Sequence, residues 1–108
     1  MKLHISILSF ALLLASPAAF GDAAAVYAKN CASCHGKDGK GDTKMGKKAG
    51  AKDYTDAKVQ GGFSDAEALA AIKDGVKKDG KEKMKAFSSK VSDAEAKELV
   101  AYIRAFKK

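Results

Sequence analysis

Both cysteines of this 108-residue chain, and the second of its two histidines, occupy five consecutive positions: Cys31-Ala32-Ser33-Cys34-His35. Nothing else in the sequence restricts the fold so sharply. On a helix, Cys31 and Cys34 are i, i+3 neighbours, so both thiols reach one edge of a flat ligand. His35, at i+4 from Cys31, presents its imidazole to the same face. Small residues between the cysteines let the helix backbone lie against that edge, and Ala32 and Ser33 meet this need. C-x-x-C-H is the attachment sequence for c-type haem, in which the thiols form thioethers with two vinyl groups and the imidazole takes the iron. Other chemistries fit less well. A thioredoxin-type dithiol follows a strand in a βαβ setting, whereas an alanine-rich helical stretch leads into Cys31. Zinc needs four ligands, and a simple disulfide leaves His35 without a purpose.

Residues 1–21 read as an export leader. Lys2 supplies a positive start, Ile5 to Ala15 is an uncharged run, Ser16-Pro17 breaks it, and Ala19-Phe20-Gly21 suits cleavage before Asp22. As a helix that run would be roughly 17 Å long, against about 30 Å of bilayer hydrocarbon. The remaining residues, 22–108, are expected to form one domain in the bacterial periplasm, with no membrane span. In that domain Leu, Ile, Val and Phe together number only twelve. So low an apolar fraction in a charged chain predicts disorder unless a ligand or cross-link supplies the interior. One covalent haem c, with its iron, would do so.

Periodicity predicts an all-α domain with three main helices. The first covers about Asp22 to Cys34. The second opens on Ser64-Asp65-Ala66-Glu67 and the third on Ser92-Asp93-Ala94-Glu95, both with the form of a capping box. In the third, Leu99, Tyr102, Ile103 and Phe106 form an apolar stripe, and Arg104, Lys107 and Lys108 complement the helix dipole. Between the first two lies a glycine- and lysine-rich connection, Gly36 to Gly62, with a short helical turn expected near Tyr54–Val59. No alternating β-branched run predicts a strand. A loop of this length needs something to cover, and a haem is the natural object.

With His35 committed, the residues leave Met45, Met84, a lysine or an open position for the sixth iron ligand, and reach alone does not choose. Met84 lies in the polar run Lys81-Glu82-Lys83-Met84-Lys85, and Met45 reads better as loop packing at the haem edge. Three stretches together extend the pattern: Cys31 through Asp42 with its glycines, Met84-Lys85-Ala86-Phe87, and the terminal Tyr102-Ile103-Arg104. With them the chain resembles the class I monohaem c-type cytochromes across its whole length after the leader. The resemblance implies a cytochrome c-like fold, with the glycine-rich loop wrapped around a haem held between crossing N- and C-terminal helices. Val26 and Tyr27 would then meet the Leu99–Phe106 stripe. It also implies Met84 as distal ligand. One departure is the lack of proline after Pro17, with lysine at position 85 where the family often has proline. It makes displacement of Met84 by Lys83 or Lys85 at high pH an expectation.

A His/Met pair would leave no open coordination position, so the expected role is outer-sphere electron transfer between ferric and ferrous iron, without enzymatic activity. The alternatives are a docked cytochrome subunit of an oxidase, dehydrogenase or peroxidase system, and a haem sensor with an open sixth site. The formal charge is +7, and +6 once Lys2 leaves with the leader. With Arg104 the lone arginine and few aromatics interleaved, nucleic acid is excluded as a partner. A monomer steering toward acidic redox partners fits better, with Lys83 and Lys85 at the haem-edge surface.

Overall fold

The computed structural model describes residues 20–108. The expected leader lies outside them, apart from Phe20 and Gly21, which open helix α1 (Phe20–Asn30). A shallow break at Cys31, with φ −120° and ψ −34°, separates α1 from the single turn α2 (Ala32–His35). The hydrogen-bond ladder runs through it, since Cys31 N–H donates to Tyr27 and His35 N–H to Cys31. The first predicted helix is therefore two segments in near-continuous series.

Two short helices occupy the stretch expected to be mostly loop. Thr43 caps α3 (Lys44–Ala49) and Asp56 caps α4 (Ala57–Gly61), each side chain accepting a backbone N–H from the first turn. Both predicted capping boxes are present. Ser64 and Glu67 open α5 (Asp65–Asp74), and Ser92 and Glu95 open α6 (Asp93–Arg104), with reciprocal bonds of 2.9–3.1 Å. Each such cap is worth roughly 1 kcal/mol.

The all-α expectation needs one correction. Strands β1 (Val76–Lys78) and β2 (Lys81–Met84) form an antiparallel hairpin, with Val76 opposite Met84, Lys77 opposite Glu82 and Lys78 opposite Lys81. Its cause is the two-residue turn Asp79-Gly80. Both residues have positive φ, 54° and 75°, the backbone that matches the twist of a tight hairpin and that Asp-Gly favours. The register shifts between Val76 and Lys77, which leaves Lys83 as the extra residue of a β-bulge.

The core is built chiefly by α6, whose Ala96, Leu99, Val100 and Ile103 recur at i, i+3, i+4 and i+7 and are all buried. Helix α6 packs on both α1 and α5. Tyr27 (2% exposed) meets Tyr102 at 5.0 Å and Phe106 at 5.4 Å between ring centroids, and Leu99 (1%) lies beneath. This is the expected contact of the first helix with the last stripe. Burying side chains such as Tyr27 and Leu99 contributes about 1.5–3 kcal/mol each. Ile72 of α5, with Phe87 and Val91 from the segment before α6, completes the cluster. Among the described residues, no helix is long and apolar enough to cross a membrane.

Candidate cofactor site

The thiols of Cys31 and Cys34 are free and half-buried. Burial, and secondly the neighbouring Cys34, pushes the Cys31 thiol up to about 11. That is the reverse of a redox-active dithiol, whose attacking sulfur is held as thiolate. No group of three or more His, Cys, Asp or Glu side chains able to hold a bare metal ion occurs among the described residues. His35 is desolvated, and burial lowers its pKa, so the imidazole is held neutral. Its Nδ1 is buried without a hydrogen-bond partner, a costly state for a polar atom. A neutral imidazole that the protein leaves uncommitted, beside two free, half-buried thiols on the same turn, fits covalent attachment and iron ligation better than thiol redox chemistry or zinc.

The carbonyls that leave the C-terminal end of α2 are capped individually. Gly36 N–H donates to Ala32 O, the Thr43 hydroxyl to Cys34 O at 2.8 Å, and Gly41 N–H to His35 O at 2.8 Å. The buried Tyr27 hydroxyl donates to Gly36 O at 2.6 Å. Thr43 Oγ1 also accepts from Gly46 N–H, so one hydroxyl joins α3 to the attachment turn. Gly46 allows the approach, because a methyl there would overlap the carbonyl oxygens of Cys34 and Gly41. Thus segment 36–50 closes over the end of the Cys31–His35 turn through its backbone. Tyr54 completes this side, its ring 5.3 Å from the His35 imidazole.

Met84 arrives from a different element. It ends β2, is half-buried, and borders the same apolar cluster that Cys31 borders. The bulge at Lys83 turns the strand immediately before it. Gly75, at φ 78°, lies against the Met84–Ala86 backbone so closely that a methyl would strike Met84 O at 2.5 Å and Ala86 N at 2.9 Å. Phe87 N–H donates to Ile72 O at 2.9 Å. Met84 is therefore held by a hairpin docked on the end of α5 rather than by a free loop. Met45 lies on α3 and is 60% exposed. Lys83 is half-buried, and exposed Lys85 lies 5.6 Å over the Phe87 ring.

Sequence reasoning passed over Thr43, Tyr54 and Gln60, and it assigned Arg104 only a dipole role. Arg104 instead clamps the molecule. Its Nε donates to Asp65 at 2.8 Å, Nη1 to the Gln60 carbonyl and side-chain oxygens, and Nη2 to Phe63 O at 2.7 Å. Gln60 (5% exposed) in turn donates from Nε2 to Tyr54 O at 2.7 Å and to Ile103 O at 2.9 Å. The one available signal was a lone arginine in a lysine-rich chain, since a planar fork of donors does what an ammonium cannot.

Comparison with known proteins agrees with this chemistry. Residues 18–103 match the family described as cytochrome c oxidase, cbb3-type, subunit III. The c-type cytochrome KustC0563 superposes with a TM-score of 0.71 at 35% identity, over 80% of this chain and 98% of that one. A tyrosine-to-phenylalanine mutant of Kustc0563 gives 0.69 and 34%, over 80% and 99%. No curated protein sequence matches significantly. At this identity and coverage the likeness extends beyond fold, and family membership implies haem c with iron. The chain belongs to the c-type cytochromes, within the family of cytochrome c oxidase cbb3-type subunit III.

Proposed function

We propose that this c-type cytochrome is a soluble, exported electron carrier with one covalent haem held by Cys31 and Cys34 and ligated by His35 and Met84. Bound haem c supplies a one-electron ferric/ferrous couple, which the two axial ligands tune. The observation that carries the reading is the Cys31–His35 turn itself, with two free, half-buried thiols and a neutral imidazole whose buried nitrogen no protein group satisfies.

Cys31 and Cys34 would fix the macrocycle edge to the Cys31–His35 turn. His35 offers a neutral nitrogen with no proton to displace. Met84, on β2, offers a thioether that favours the reduced state. The hairpin carries Lys77, Lys78, Lys81 and Lys83, and Lys85 follows it directly. This supports electrostatic steering of acidic redox partners through Lys83, Lys85 and their neighbours, with on-rates that fall as salt rises. We also assign residues 1–21 to an export leader, residues 22–108 to the mature periplasmic domain, and no enzymatic activity to the protein.

The test is an oxidised and reduced absorption spectrum of protein purified from the periplasm, together with a denaturing gel stained for covalent haem. The expected result is a stained band that disappears in Cys31→Ala, Cys34→Ala, and a ferric methionine–iron charge-transfer band that disappears in Met84→Ala. Colourless, folded protein with free or mutually bonded thiols would overturn the reading. Ready carbon monoxide binding by the reduced form would remove Met84 as ligand, and co-purification at fixed stoichiometry would replace the free carrier with a docked subunit.

A further inference from the structure

Hairpin β1–β2 arranges its charges in two ways. Lys77 stands opposite Glu82, whereas Lys78 stands opposite Lys81, directly beside the Asp79-Gly80 turn. Residues directly opposite in an antiparallel pair share a face, so opposite charges there add stability and like charges subtract it. Lys78 and Lys81 are both exposed. Among the described residues the ion pairs are Lys47–Asp42, Lys73–Asp93 and Arg104–Asp65, none of them on the hairpin. The tip is open, since a methyl on Gly80 would meet nothing within 4 Å. Val76, 39% exposed and opposite Met84, lies two residues from Lys78 and so shares its face. One face of the hairpin thus runs from an exposed valine to two facing ammonium groups that no described carboxylate pairs.

Lysine on an edge strand is by itself ordinary, because charge discourages one sheet from pairing with another. That use does not require two lysines to face each other across the turn, and the Lys77–Glu82 pair shows the same hairpin accommodating an opposite charge. Other lysines nearby are otherwise accounted for. Lys47 pairs with Asp42 at 3.0 Å, and Lys47 and Lys48 lie in the last turn of α3, where cations complement the helix dipole. Lys83 is half-buried, and Lys85 lies over the Phe87 ring. We infer that Lys78 and Lys81 are the docking point for carboxylates of an acidic redox-partner protein, seated on the hairpin face that Val76 shares. The inference rests on the proposed electron-carrier function, and it narrows the steering surface to the hairpin tip. A carboxylate between two ammonium groups turns their repulsion into two attractions, which suits a small, salt-sensitive redox contact. The pair destabilises the free protein and is relieved on docking.

The experiment follows the backbone amides of isotope-labelled ferrous holoprotein by NMR, after covalent haem has been measured by the pyridine haemochrome spectrum. Absence of haem would overturn the proposed function and this inference with it, whereas haem-replete protein tests the inference alone. The probes are a hexaglutamate peptide and phosphatidylglycerol vesicles, each added at low ionic strength. Hexaglutamate should shift the amides of residues 76–82 most, and the shifts should vanish at high salt. Lys81→Glu sets an opposite charge across from Lys78, so it should raise the melting temperature while weakening peptide binding by about tenfold or more. Lys97→Glu, the same change of charge at an exposed position of α6, should alter the affinity by less than about twofold. Lys78→Arg, Lys81→Arg should retain it. A lower melting temperature in Lys81→Glu would remove the like-charge premise, and an unchanged affinity would remove the docking point. A loss in Lys97→Glu as large as that in Lys81→Glu would also overturn the assignment, because net charge alone would then be acting. Shifts centred on Lys44, Lys47 and Lys48 would place acidic partners on α3 instead. Hairpin shifts with vesicles and none with hexaglutamate would give the tip to a membrane surface and overturn the protein-partner reading.

Discussion

Segment 36–50, which follows His35, and hairpin 76–84, which ends on Met84, are both short, lysine-rich and poor in large side chains, yet they are held differently. The first is fastened by its backbone and by one hydroxyl: Gly41 and Thr43 cap the attachment turn, and Gly46 lies against it. The second pairs mainly with itself and touches the rest through its base, at Gly75 and Phe87, while its tip projects freely. Gly36, Gly39, Gly41 and Gly46 of the first leave no room for an added methyl, whereas Gly80 at the hairpin tip does. Met84 lies at the docked base, opposite Val76 and against Gly75, so both proposed iron ligands come from crowded backbone and only the hairpin tip is loose.

The sharpest way to break this contrast is Gly46→Ala. Its methyl would overlap the Cys34 and Gly41 carbonyls, and such overpacking costs about 1–3 kcal/mol. Denaturant melts of the holoprotein should show a loss near the upper end, and a loss below that range would mean that α3 can lift away from the turn. Thr43→Val removes the hydroxyl shared by Cys34 O and Gly46 N–H. Leaving a half-buried carbonyl unpaired should cost about 1–2 kcal/mol, with Thr43→Ser recovering most of it in the same melts. Gly80→Ala at the hairpin tip meets nothing within 4 Å, and its cost is the positive φ of 75° alone. Roughly 1 kcal/mol is expected, with the methionine charge-transfer band retained. A drop comparable to Gly46→Ala would erase the distinction.

The smallest effect is a pH dependence. Backbone and hydroxyl hydrogen bonds from Ser64 and Ser92 hold the carboxyls of Glu67 and Glu95 below the usual range. Groups depressed on folding add stability above their unfolded pKa and lose it as pH falls through the folded value. Thermal melts between pH 6 and pH 3 should therefore fall less steeply for Glu67→Gln, Glu95→Gln than for the unaltered protein. Parallel acid limbs would remove the caps from the account.

What could be read from the sequence and what could not divide along the same line. Capping boxes at Ser64 and Ser92 need only four consecutive residues, and the stripe from Leu99 to Phe106 needs only helical period, so both were legible. The Cys31–His35 turn was legible because its chemistry is written in adjacent letters. The hairpin escaped because its strands carry lysine and glutamate where β-branched residues would have been the cue, although Asp79-Gly80 was a sufficient turn signal. Thr43 on Cys34, Gly46 on the turn and Gln60 between Tyr54 and Ile103 are contacts across 6 to 43 positions. No local pattern encodes them, because they depend on where the whole chain has already folded.

Lys108 N–H donates to the carbonyl of Thr55, one residue beyond the tyrosine that faces His35. An affinity handle or fluorescent fusion joined directly after Lys108 would pull on that stitch and reach the imidazole through a single neighbour. Potentials measured on such fusions would then report the engineering as well as the molecule. Where potentials alone are read, the open tip at Gly80, away from every glycine-lined contact described above, is the safer point at which to attach a probe.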